Sequence, residues 1–263
     1  MMLYVGETIS PTDLLIGGGL LFLAVLYRVW RANTRRRGDP VPGPRPPGLD
    51  DRALLTPPVP FGYKTAWFAI RSTDMQGVAA ALRLVDPQPA GWQYGIWHSV
   101  ETRDYQIFVM PPIHGWILAA GLPILWEADD HATERMVKLS EKFGEVQFFG
   151  SMRVSGVAIW ARARNGQLLR RFYEGDGNRQ EFGEQTAEEK ALGFKFFDSS
   201  SPESKDPEYW KRKDLTYPGE DTVLQVAAVW SVDPSRLDQM GLPQEAGLLG
   251  GVGEGWEPKP NFP

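Results

Sequence analysis

Apolar positions along this chain fall into three regimes. Leu14 to Tyr27 is an unbroken uncharged run, Leu-Leu-Ile-Gly-Gly-Gly-Leu-Leu-Phe-Leu-Ala-Val-Leu-Tyr. Residues 38–60 then carry eight prolines in 23 positions. From Phe61 onward apolar residues alternate or recur with a helical period, the pattern of a folded domain.

The first regime reads as one membrane helix over residues 11–31. Ser10-Pro11 offers a hydroxyl cap and a first-turn proline, and a helix of that length spans about 31 Å, a hydrocarbon core. Tyr27 and Trp30 suit the interfacial belt, and Arg28 can snorkel. A cleaved signal peptide would need basic residues before the run, and none precede Asp13. An amphipathic surface helix would need a polar face, which the run lacks. Arg28, Arg31, Arg35, Arg36 and Arg37 follow the span, whereas Glu7 and Asp13 flank it on the other side. That asymmetry predicts residues 1–10 outside and the remainder inside. The proline-rich second regime, within a linker over residues 32–60, predicts an extended, semi-rigid spacer.

In the third regime, residues 61–240, the pattern predicts an α+β domain: a mainly antiparallel sheet with flanking helices. Tyr63–Ile70 reads as a strand, and Asp74 caps a helix whose Met75, Val78, Ala79 and Leu82 share a face. Trp92–Val100, Tyr105–Met110 and Trp116–Ala120 read as strands. Asp129 or Asp130 opens a helix through Phe143 that Gly144 stops. Strands follow at Glu145–Phe149, Val154–Arg162 and Leu168–Tyr173, with Asn165-Gly166 as a hairpin turn. Each half thus reads as a helix followed by a three-strand meander. Thr186-Ala187-Glu188-Glu189 fits a capping box ending at Gly193. Asp221 caps a helix through Trp230, Asp233-Pro234 starts a short turn, and residues 241–263 read as a loosely ordered tail.

Charge narrows the partners. Of 28 basic and 33 acidic residues, residues 1–59 hold seven and five, leaving 21 and 28, a net of −7 on the remainder. Such a domain repels nucleic acid and an anionic leaflet. The lipid bilayer is therefore met through the helix, not through the domain. The chain has no cysteine, which removes disulfides, thiol catalysis and cysteine-based metal sites.

Candidate chemistry is sparse. His98, His114 and His131 show no metal-ligand spacing, so neither metal nor cofactor is expected; Asp129-Asp130-His131 reads as ordinary capping. Trp92, Tyr94, Trp97, His98, His114 and Trp116 fall on strands expected to be neighbours. They form an aromatic, histidine-bearing surface or, alternatively, a face packed under helices. Arg162, Arg164, Arg170 and Arg171 flank Asn165-Gly166 as a basic hairpin, able to receive a carboxylate-rich partner or to pair across strands. Gly250–Gly255 lacks the strand–helix frame of a phosphate loop, and no nucleophile elbow occurs. No enzyme chemistry is read.

The runs Phe108–Trp116, Leu139–Phe149 and Trp160–Gly166, with Asp221–Leu224 and Trp230–Pro234, together resemble an uncharacterised bacterial α+β domain family over residues 61–238. The resemblance implies a single domain and carries over no catalytic residues. The expectation is a single-pass protein of the bacterial inner membrane whose cytoplasmic, non-enzymatic domain binds a protein partner, as an immunity, neutralising or regulatory protein. The alternatives are a ligand-sensing domain coupled to the anchor and a hydrolase with dispersed residues.

Overall fold

The aromatic run at the start of the domain forms strand β1 (Ala66–Arg71), the middle of a nine-stranded sheet. This computed structural model describes residues 53–102, 104–126, 130–175, 178–198 and 201–256, all within one unit, residues 47–263. The expected membrane helix, Arg28, Arg31, Arg35, Arg36 and Arg37, and most of the linker lie outside the described residues. Among the described residues no helix is long and apolar enough to cross a membrane.

After β1 come α1 (Met75–Ala81), β2 (Leu84–Ala90), α2 (Trp92–Ile96), β3 (Gln106–Val109), β4 (Trp116–Ala120), α3 (Leu122–Trp126) and α4 (Asp130–Phe143). The chain continues through β5 (Glu145–Met152), β6 (Val157–Arg164), β7 (Gln167–Gly175), β8 (Asn178–Phe182), α5 (Ala187–Leu192), α6 (Glu220–Trp230) and β9 (Gly247–Val252). The sheet order is β2-β9-β3-β4-β1-β5-β6-β7-β8, and every pairing is antiparallel.

Period-two alternation sends residues to both faces, and helices cover each. One face, with Trp67, Phe108, Phe149, Trp160 and Phe172, packs against α2 and α6. The other, with Phe68, Ile107, Ile117, Phe148 and Ile159, packs against α1 and α4. Both layers of the core are buried, which is why the central strands read as nearly continuous apolar runs. The α+β expectation holds at this level.

Local signals explain many boundaries. Asp74 accepts the Gly77 N–H at 2.9 Å as the α1 cap. Gly144 has φ +78° and stops α4. Asn165 and Gly166 both have positive φ, +48° and +77°, as the two-residue turn of β6–β7 demands. Ser140 on α4 ties that turn down by accepting the Gly166 N–H at 2.9 Å.

Four expectations are corrected. Trp92–Val100 is not a strand: it is α2 running into a wide π-helical turn at Trp97–Glu101. The strand lies just before it, as β2, whose Pro87 and Pro89 are tolerated on a sheet edge. The first half is no meander, because β9 inserts between β2 and β3. The stretch from Gly241, expected to hang loose, supplies that strand, and Trp256 beyond it is buried with its indole N–H donating to Leu82 O at 2.7 Å. Helix α6 starts two residues early, with Gly219 at the cap and Asp221 in the first turn. The expected capping role of Asp129 or Asp130 lies outside the described side chains.

Candidate functional site

The aromatic and histidine residues singled out from the sequence divide into two groups. Trp92, Tyr94, Trp97 and His98 lie on α2 and its π-helical continuation. Helical spacing brings Tyr94 and His98, four residues apart, into contact at 4.2 Å between ring centroids. Trp92 turns inward, fully buried, edge-on to Phe108 at 6.1 Å. Trp97 is half-buried. The second group belongs to the β3–β4 connection. His114 is exposed at φ +50° in the turn closed by Ile113 and Trp116. Trp116 is buried beneath the Arg71 guanidinium, 5.1 Å from its ring. Trp92 and Trp116 both belong to the core, Trp116 from a strand and Trp92 from a helix.

Among the described residues the His98 ring has one hydrogen-bond partner. Its Nδ1 lies 2.6 Å from Asp104 Oδ2. A carboxylate accepts, so Nδ1 carries the proton, and a neutral ring presents Nε2 as an acceptor. Thr102 fixes the geometry: its hydroxyl donates to His98 O at 3.0 Å and accepts the Asp104 N–H at 3.3 Å. A cavity of about 420 Å³ is lined by this pair with Tyr94, Tyr105 and Gln106, and a second of about 460 Å³ shares Tyr94 and Gln106 with it but not the pair itself. The larger is floored by Leu249 and Gly251 of β9. The floor is low because Gly251 has open space where a side chain would stand. This groove can seat a polar ligand. It places no serine, cysteine or lysine beside the ring to act as a nucleophile.

The hairpin arginines are committed within the domain. Arg162 Nε and Arg164 Nη2 each donate at 2.7 Å to different oxygens of Glu145. Burial pushes the Glu145 carboxyl up, but bonds from Arg164, Gln147 and Arg162 outweigh it, and the group titrates below its usual range. Arg170 is 1% exposed. It donates to Glu189 at 3.0 Å, Glu181 at 2.8 Å and Gly183 O at 3.1 Å. Cross-strand pairing, the alternative reading, describes these residues. Among the described residues no cluster could hold a metal ion.

An aromatic surface went unread in the sequence. Between α5 and α6, Phe197, Trp210 and Tyr217 stack nearly parallel, with centroids 4.3 Å apart for Phe197–Tyr217 and 5.5 Å for Phe197–Trp210. Phe197 is buried, Trp210 half-buried and Tyr217 58% exposed. Tyr209 anchors the group: its hydroxyl oxygen accepts the Asp198 N–H at 2.7 Å. The signal available was length, since a connection of more than about 15 residues in a compact domain is commonly functional.

No protein-family model matches this chain, and no match is found among curated proteins or solved structures.

Proposed function

We propose that this chain is a membrane-anchored, non-enzymatic bacterial domain that binds a protein partner, in the immunity, neutralising or regulatory class, and that the partner seats on the Phe197–Trp210–Tyr217 surface. The observation that carries the reading is this stack, a preassembled aromatic platform on a long connection. Tyrosine and tryptophan dominate binding hot spots because they bury much area at low entropic cost. The net charge of −7 on residues 60–263 favours a basic partner through steering. Residues 11–31 hold the domain at the inner membrane, with the arginine flank on the cytoplasmic side.

Crosslinking in cells followed by affinity capture of the full chain tests the surface. A basic partner should be recovered with the native chain and fall about tenfold with the Trp210→Ala/Tyr217→Ala pair, a loss of about 1.4 kcal/mol. Equal recovery overturns the reading. The anchor is tested separately: the full chain should resist carbonate extraction, and its appearance in the aqueous fraction after ultracentrifugation rejects the span.

A second reading, ligand sensing, is favoured by one observation, the His98–Asp104 pair lining a cavity that a second cavity adjoins at Tyr94 and Gln106. A ligand found by thermal-shift screening should lose its effect in both His98→Ala and Asp104→Asn. A shift that survives both changes rejects the groove as the site.

A further inference from the structure

The two margins of the sheet differ. One is β2, carrying Pro87 and Pro89 and a register shift between Val85 and Gln88. The other is β8, Asn178-Arg179-Gln180-Glu181-Phe182, with no proline and, among the described residues, no strand beyond it. Gly175 and Asn178 are partners with only two residues between them, so they are the hydrogen-bonded closing pair of a hairpin. Antiparallel ladders alternate. Tyr173–Gln180 and Arg171–Phe182 therefore exchange bonds, while Glu174–Arg179 and Phe172–Glu181 do not. The N–H and C=O of Arg179 and Glu181 are left pointing out of the open edge.

We infer that β8 pairs with β8 of a second copy of this chain, antiparallel about a two-fold axis through Gln180. Register decides it. Only residues with outward backbone groups can exchange bonds, so the axis passes through residue 179, 180 or 181. An axis at 179 sets Arg179 against its own copy, and an axis at 181 does the same for Glu181; like charges directly opposite destabilise a sheet. The axis at 180 sets Arg179 against the second copy's Glu181, twice, and makes four backbone hydrogen bonds. The side chains have capacity to spare. Arg179 uses Nε on Glu174 and Nη2 on Phe197 O, and Glu181 uses Oε2 on Arg170. Arg179 Nη1 and Glu181 Oε1 have no partner among the described residues. Phe182, 54% exposed, then faces Asn178 of the second copy and covers apolar area.

The chain has no cysteine, so one introduced thiol reports on this geometry alone. In Gln180→Cys the two thiols sit on the axis at a non-hydrogen-bonded position, with Cα atoms about 4.5 Å apart, within disulfide range. In Asn178→Cys they stand four residues out of register, roughly 13 Å apart. The full chain in detergent, oxidised with copper phenanthroline, should give mostly covalent dimer for Gln180→Cys and monomer for Asn178→Cys. Light scattering of the native chain should give twice 29.5 kDa for the protein component. Equal crosslinking of the two variants, or a single-chain mass at 100 µM, overturns the pairing.

Discussion

Glu189 holds Trp160 and caps its own helix with the same carboxylate. Oε1 accepts the Trp160 indole N–H at 2.9 Å and Arg170 Nε at 3.0 Å, while Oε2 accepts the Thr186 N–H at 2.9 Å. The capping box read from the sequence is thus also the counter-charge for a buried guanidinium. Removing it leaves Arg170 uncompensated on its inner side, and breaking a buried pair costs about 3–5 kcal/mol. Glu189→Ala should lower the urea midpoint accordingly with an unchanged slope; a loss under about 0.5 kcal/mol, the size of a surface effect, would show that the pair contributes little.

Glu145 makes stability depend on acid. Its folded value lies below the ordinary 4.5, because the Arg164, Gln147 and Arg162 bonds overcome burial. A depressed carboxylate contributes stability that is present above the unfolded value and lost as pH falls through the folded one. Unfolding free energy should therefore drop more steeply below pH 4.5 in the native chain than in Glu145→Gln. Parallel pH profiles would refute the assignment.

Gly166 is fixed by its conformation and by Glu141. At φ +77° a Cβ is strained, and it would stand 2.8 Å from Glu141 Cγ. Gly166→Ala should cost about 1–2 kcal/mol, read by thermal unfolding; no loss of Tm would mean that the turn relaxes freely.

Strand β9 makes the end of the domain, from Gly247 onward, indispensable. Ending the chain after residue 246 deletes a strand hydrogen-bonded on both sides, to β2 and β3, and should yield insoluble protein. Trp256→Ala removes the bond to Leu82 and the stacking of Arg135, 3.6 Å over the ring. It should cost about 3–5 kcal/mol with the fold retained, as circular dichroism will register. Soluble, folded protein from the shorter chain would contradict this topology.

The second half of the domain was legible because its turn chemistry and period agree: Gly144, Asn165-Gly166 and the alternation of β5 to β7 all specify one register. The first half was not, for reasons visible at Phe108. Its ring lies against Gly95 and Gly247, where an added Cβ would come within 2.5 Å and 2.6 Å of it. Gly95, inside a run read as a strand, and Gly247, in the stretch read as tail, are the sites where an aromatic ring needs room. Trp92–Val100 misled because its aromatic and β-branched content favours strands, while burial of Trp92 and Ile96 on one helical face overrode that preference. Of the candidate site, Tyr94 and His98 were named, but Asp104 lies between two runs read as strands, and the helix that joins the two rings was missed. The Phe197–Trp210–Tyr217 stack joins residues up to 20 apart through irregular chain, which no periodicity announces.

Pro87 and Pro89 leave the β2 rim without two amide protons, and proline cannot be talked into donating one. Growth of the sheet is therefore disfavoured on that side. A molecule with one adhesive rim forms closed couples, and lacks the second contact that a fibre needs to propagate.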